Sequence, residues 1–277
     1  METKENIKQL VKEKYSEIAG RSKETNAASC CGAGGCSTEV YTIMNEDYAT
    51  LQGYIKDADL GLGCGLPTQY AHIKKGDTVI DLGAGAGNDC FIARAATGET
   101  GKVIGIDMTE AMIEKARINA DKLALNNIEF RLGEIESMPV AANRADVIIS
   151  NCVLNLVPDK KKAFAEIFRV LKPRGHFSIS DVVLKGGLPE NIKKASEMYA
   201  GCVACALQKE EYMDIIHHTS FINVKIQKEK PIIIPNDILE NYLTPAELEE
   251  YKKKETGIFS ITVYAEKPGE CSPPGCC

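Results

Sequence analysis

The stretch Thr78-Val79-Ile80-Asp81-Leu82-Gly83-Ala84-Gly85-Ala86-Gly87-Asn88-Asp89 decides the fold. A short β-branched run carries an acid near its end, three alternating glycines follow, and the pattern then turns helical. That order predicts a buried parallel strand, a tight turn and a helix N-terminus. Glycine suits the turn because the chain there takes unusual backbone angles and a ligand must approach the main chain closely. The loop's N–H groups and the positive end of the helix would face a carboxylate or a phosphate. With glycines at 83, 85 and 87 and Asn at 88, the G-x-G-x-x-G spacing of dinucleotide-binding loops is not met.

Outward from this loop, Lys102-Val-Ile-Gly-Ile-Asp107-Met108 is a second strand ending in an acid, where a carboxylate could accept both hydroxyls of a ribose. Acid, glycine turn, helix, strand and acid, with G-x-G-x-G in the turn, resemble the S-adenosylmethionine (SAM) site of class I methyltransferases. The resemblance makes Asp81, Gly83, Gly85, Gly87, Asn88, Asp107 and Met108 cofactor-site candidates, with SAM favoured over NAD on the spacing. After the third strand, Glu134 would meet an adenine amino group and Ile135 one ring face, with Met108 on the other. A surface acid and a core isoleucine account for the same two residues equally well. The fourth strand ends in Ser150-Asn151-Cys152, which puts Asn151 near the cofactor.

Strands expected at Thr78–Leu82, Lys102–Asp107, Ile128–Leu132, Asp146–Ser150 and His176–Asp181 alternate with helices near Asp89–Ala96, Glu110–Leu123 and Lys160–Val170. Such alternation means a doubly wound α/β fold, a Rossmann-like parallel sheet with right-handed crossovers. Two later alternating runs, 221–226 and 259–265, would add an antiparallel pair and complete seven strands. Residues 1–70 divide into an amphipathic helix over Thr3–Ile18 and a small, polar, cysteine-rich loop capping the active site. Residues 71–185 form the SAM-binding core, 186–268 the substrate-site helices and last strands, and 269–277 a Pro/Gly-rich tail. A capped helix is expected from Thr244-Pro245.

The 277 residues are enough for one α/β domain with additions, and a net charge of −6 without a basic stripe argues against nucleic acid. No apolar run approaches the ~20 residues of a membrane span. The first residues lack the apolar core of a signal peptide, so a cytoplasmic monomer is expected.

Eleven cysteines are many for such a protein, and an odd number without a secretory signal points to thiols used for chemistry or soft-metal binding. A cysteine at a strand end, as at Cys152, is commonly a small buried hydrophobe. Cys64 lies between two glycines, which reads as a thiol exposed by a turn, and Cys202 follows the fifth strand. Three thiols from three segments suit a three-coordinate soft ion better than tetrahedral zinc, though Cys202-x-x-Cys205 leaves zinc open. Cys90 and Cys205 read as packing residues.

Leu62-Gly63-Cys64-Gly65, the block from Asp81 to Cys90, Gly105-Ile-Asp107-Met108-Thr109, Ser150 to Asp159, Arg169-Val-Leu-Lys172-Pro and Gly201-Cys202-Val-Ala together resemble the arsenite SAM methyltransferases, over about Lys14 to Pro268. The resemblance implies that Cys64, Cys152 and Cys202 bind trivalent arsenic, as arsenite or methylarsenite. It also implies that Cys30 or Cys31, with Cys36 leaving that choice open, pairs with Cys64 in a disulfide that reduces methylated arsenic. A thiol reductant such as thioredoxin or glutathione would reset the pair. Cys205 departs from the family pattern, where a small residue is expected. Two rivals stand beside this reading. A methyltransferase of an organic acceptor would need a base, and no His lies in these motifs; His217-His218 reads as surface structure. A non-catalytic thiol protein for arsenic or zinc would not need the glycine loop and Asp107.

Overall fold

The computed structural model describes residues 4–23, 26, 47–187, 205–233, 239–240, 243–253 and 257–269. Cys30, Cys31, Cys36, Cys202 and the tail from 270 lie outside them.

The first strand, β1 (Thr78–Leu82), is an interior strand of the sheet, paired along both edges. Ile80 lies in register with Ile104 of β2 (Lys102–Asp107) on one side and Ile148 of β4 (Ala145–Asn151) on the other. All three isoleucines are buried, as the continuous apolar run of a doubly covered parallel strand requires. With β3 (Ile128–Leu132), β5 (Leu171–Lys185), β6 (Ile222–Ile232) and β7 (Gly257–Glu266), the order is β3-β2-β1-β4-β5-β7-β6. β7 is antiparallel to both of its neighbours. The strand order reverses between β1 and β4, so the crevice for a ligand opens at the carboxyl ends of those two strands.

Helices cover the faces. Among them, α1 is Lys4–Ala19, α2 Pro67–Tyr70, α3 Asn88–Thr97, α4 Glu110–Lys122 and α5 Lys160–Val170. The Asp159 carboxylate caps α5 by accepting from Lys162 N at 3.1 Å, and Ala163, Phe164, Ile167 and Val170 bury one stripe at helical spacing. Phe164 meets Phe177 of β5 and Tyr212 of α6 (Lys209–His217), each at 5.9 Å between ring centroids. Truncating such a residue to Ala costs about 3–5 kcal/mol. The end of α1 is tied to α4, where the Lys115 ammonium donates to the carbonyls of Ala19 and Arg21 at 2.8 and 2.9 Å. At α7 (Pro245–Lys253), Thr244 and Glu247 exchange bonds as a capping box.

The elements fall where the sequence places them, several a residue or two longer at their ends, and β5 and β6 differ most. β5 runs from Leu171 to Lys185 rather than from His176 to Asp181, because Leu171 already pairs with Ala145 of β4 and β7 keeps pairing with it as far as Lys185–Gly257. β6 runs to Ile232 despite Pro231 and its lysines, since an edge strand leaves one side unpaired. His217 and His218 are exposed at the end of α6, as expected. No helix among the described residues is long and apolar enough to cross a membrane.

Candidate active site

The turn after β1 is locked to the end of β2. Gly83 N donates to Ile106 O at 2.8 Å with φ at +70°, and a Cβ there would lie 2.5 Å from Val153. No L side chain fits. One turn further, Gly85 N donates to Asp107 Oδ2 at 3.0 Å, while Thr109 N donates to Oδ1 at 2.8 Å. Asp107 therefore sets the loop's shape and keeps acceptor positions for a ligand, because a carboxylate offers about four. Burial raises its pKa, and the backbone N–H groups of Thr109 and Gly85 hold it back.

This loop forms the floor of a cleft open to solvent at its mouth. Asp81, Gly83, Gly85 and Asn88 line it beside Asp107 and Met108. Glu134, Ile135, Asn151 and Cys152 complete the set of expected residues on its wall. Gly87, the residue before α3, lies instead under Phe91 and Phe130, where a Cβ would come within 2.9 Å of a ring carbon. α1 forms one side through Val11 and Tyr15, and its Lys8 ammonium sits 2.6 Å from Glu134 and 2.7 Å from Glu136.

Two buried oxygens in the cleft, Asn88 Oδ1 and Asp89 Oδ1, have no donor among the described residues. Buried acceptors of this kind are stable only with a partner, so they fit a ligand bearing N–H or ammonium donors. SAM carries such groups. An adjacent open glycine loop and a strand-end carboxylate suit its ribose and tail.

Asn151, Tyr48 and Asp89 form a buried knot between the cleft and the loop at 63–65. Asn151 Oδ1 accepts from the backbone N–H of Cys64 at 3.1 Å and of Gly65 at 3.2 Å. Its amide N–H₂ donates to Tyr48 Oη, to Gly65 O at 2.8 Å and to Asp89 Oδ2 at 3.1 Å. Burial raises the Asp89 carboxyl to about 6, against the stabilising bonds from Asn151 and Tyr48. Asp81 rises further, through burial and then the nearby charge of Asp89, with the Cys90 thiol donating to it at 3.3 Å in opposition.

The thiols lie behind this knot. Cys152 follows β4 in the left-handed region, φ +60°, where its N–H reaches Ser180 O at 2.8 Å. A β-carbon in that region is strained, which marks a position held by its surroundings. Cys64 is 1 % exposed, so the exposed thiol expected between two glycines is corrected to a buried one. The reason is close approach. A Cβ on Gly65 would lie 2.5 Å from Ser180 Oγ, and Ser260 Oγ donates to Cys64 O at 2.6 Å, so the bare loop is drawn down onto β5 and β7. The Cys64 and Cys152 sulfurs and a carboxylate oxygen of Asp181 lie within 4.8 Å of one another, all on buried residues. Burial raises the Asp181 carboxyl to about 7, opposed by Val182 N–H, the Lys160 ammonium and the Tyr212 hydroxyl.

Among the described cysteines, Cys64, Cys90, Cys152 and Cys205 carry no disulfide. Cys90 is buried, as its packing role requires. Cys205 is exposed, which overturns its reading as a packing residue: it precedes α6 on the surface instead of entering the core. Cys30, Cys31 and Cys202 are outside the described residues. Sequence reading missed Tyr48, Asp89, Lys8 and Asp181. Asp89 and Asp181 had a signal, an acid in a segment otherwise apolar or helix-starting, whereas nothing around Tyr48 or Lys8 marks them out.

Residues 73–220 match a family model described as a methyltransferase domain. An arsenite methyltransferase of Halobacterium salinarum is 37% identical over 95% of this chain and 67% of its own length. The human arsenite methyltransferase is 30% identical over 86% of this chain and 64% of its own. The chain thus spans about two thirds of these relatives. Among solved structures, an arsenic (III) S-adenosylmethionine methyltransferase from Chlamydomonas reinhardtii aligns with a TM-score of 0.62 and 33% identity, covering 77% of this chain and 69% of that one.

Proposed function

The chain belongs to the arsenite methyltransferase family, and from that premise we propose that it methylates trivalent arsenic held by Cys64 and Cys152 together with Cys202. The observation that carries the reading is the meeting of the Cys64 and Cys152 sulfurs on buried residues, with Cys152 also lining the cofactor cleft. Soft trivalent arsenic prefers thiolates, and three of them hold it as a pyramid whose lone pair points outward. Arsenous acid enters by exchange, As(OH)₃ + 3 RSH → As(SR)₃ + 3 H₂O, so no proton is lost or gained overall. Bound in the cleft, SAM supplies an electrophilic methyl group to that lone pair.

The chain's own work is placement. Asp107, Asn88 and the 83–87 loop would hold the cofactor, with Met108 and Ile135 against its base and Glu134 near the base's edge. Asp81 lines the cleft at the end of β1, with the Cys90 thiol donating to it at 3.3 Å. Asn151 joins the two halves of the site, since one amide touches both the Cys64 loop and the Asp89 side of the cleft. Orientation of this kind is worth up to ~7–11 kcal/mol of barrier.

Methylation takes arsenic to the pentavalent state, and two thiols then return two electrons and two protons as they form a disulfide. We assign these to Cys64 with Cys30 or Cys31, in a cytoplasmic setting where thioredoxin or glutathione reopens the bond. The test is mass spectrometry of arsenic species after incubation with arsenite, SAM and glutathione. Methylated arsenic is expected. Protein that binds SAM but yields none would sink the reading.

A further inference from the structure

Asp181 brings a hard oxygen into a thiol cluster that arsenic chemistry alone does not call for. Trivalent arsenic takes soft sulfur donors, whereas Zn²⁺ accepts thiolate and carboxylate together. Zn–S and Zn–O bonds of about 2.3 and 2.0–2.2 Å imply tetrahedron edges of roughly 3.4–3.8 Å. The three donor atoms here already lie within 4.8 Å of one another, so small side-chain rotations close them on one ion. Each donor is also held from behind, as metal ligands usually are. Val182 N–H and the Tyr212 hydroxyl donate to Asp181 at 3.0 and 3.3 Å, and Cys152 is fixed through Ser180 O at 2.8 Å. Asn151 and Ser260 fix the backbone of Cys64 at 3.1 and 2.6 Å.

We propose that Cys64, Cys152 and Asp181 form a Zn²⁺ site, and that zinc bound there excludes arsenite by occupying the same two sulfurs. The inference rests on the reading of Cys64 and Cys152 as the arsenic thiols. Binding releases the thiol protons, with any carboxyl proton, to solvent, and no electron moves. The fourth corner of the tetrahedron is left to water or another donor. Zinc would thereby act as a reversible competitor with arsenite.

The experiment titrates ZnCl₂ against a chromogenic chelator, with a phosphine reductant in place of thiols. Other cysteines will bind zinc too, so the readout is the zinc that one equivalent of arsenite displaces. Wild-type protein is expected to release one equivalent. Asp181→Asn should weaken that arsenite-displaceable site at least about tenfold, while leaving arsenite affinity nearly unchanged. Zinc that arsenite does not displace, or a variant that binds it as tightly as wild type, overturns the proposal. A second arm does not depend on the variant's folding. Wild-type protein loaded with Co²⁺ should show a thiolate-to-cobalt charge-transfer band that loses the intensity of one bound cobalt when one equivalent of arsenite is added, and an undiminished band overturns the proposal equally. If the protein binds no arsenite at all, the arsenic function fails by itself. The zinc site then stands or falls on whether Asp181→Asn weakens one zinc equivalent.

Discussion

Asn151 Oδ1 accepts the backbone N–H of Cys64 at 3.1 Å across 87 residues of chain. The thiol's position is therefore set by an amide at the end of β4, and not by the turn in which the cysteine sits. Replacing Asn151 with Ala removes the side-chain acceptor of the Cys64 and Gly65 N–H groups and one of Asp89's donors. Stability should fall by about 1–3 kcal/mol, and arsenite affinity by roughly tenfold, the factor for 1.4 kcal/mol. Thermal melts and arsenite titration on one preparation check both. An unchanged affinity would detach Asn151 from the thiol site.

Asp107→Ala removes the carboxylate that accepts from Gly85 and Thr109. SAM affinity is expected to drop by about 1.5–3 kcal/mol through lost charge-assisted bonds, with arsenite binding intact. Calorimetry with each ligand separates the two. Equal loss of both would mean that the glycine loop and the thiols collapse together.

Cys64→Ser and Cys152→Ser exchange soft thiols for hydroxyls that hardly ionise, so arsenite binding and turnover should disappear together. Cys205→Ser, on the surface, should keep both. If the two buried sulfurs served only packing, serine would cost roughly 1–3 kcal/mol of stability and leave arsenite affinity native in the folded fraction.

Asp89 supplies a pH test. Its carboxyl, raised from 3.8 to about 6, favours the protonated form in the fold, so ionisation destabilises the apoprotein above that value. Above pH 6 the penalty is of order 3 kcal/mol, and it vanishes below the unfolded-state value near 4. Asp89→Asn, which cannot ionise, should melt higher than wild type at pH 8, and the gap should close as pH falls from about 6 to 4. SAM affinity should weaken, since Asp89 Oδ1 is one of the unpaired acceptors in the cleft. A melting difference independent of pH would remove Asp89 as its source.

The central sheet is legible in the sequence because its signals are local. Thr78–Leu82 and Lys102–Asp107 are apolar runs ended by acids, and the structure returns the same bounds. The thiol chamber is less legible because its contacts are distant. Cys64 sits among glycines that look like exposure, yet their missing Cβ atoms are what let the loop press against Ser180. Asp181 follows the alternating run His176–Ser180 and reads as a strand end, but β7 carries the strand four residues beyond it. Cys205 shares a C-x-x-C pattern with Cys202, and nothing in that spacing distinguishes a surface position from a core one.

The hydrogen bond from Ser260 to the carbonyl of Cys64 joins residues 196 apart, and it comes from β7, the last strand of this sheet in chain order. A growing chain that has released β1 to β5 from the ribosome already contains both thiols, yet the strand that presses the Cys64 loop into place is still missing. Because distant segments must meet before they are rewarded, such closure comes late in folding. The chamber is thus completed only when β7 has joined the sheet, and a chain still lacking that strand does not offer a finished thiol trap to whatever soft ions surround it.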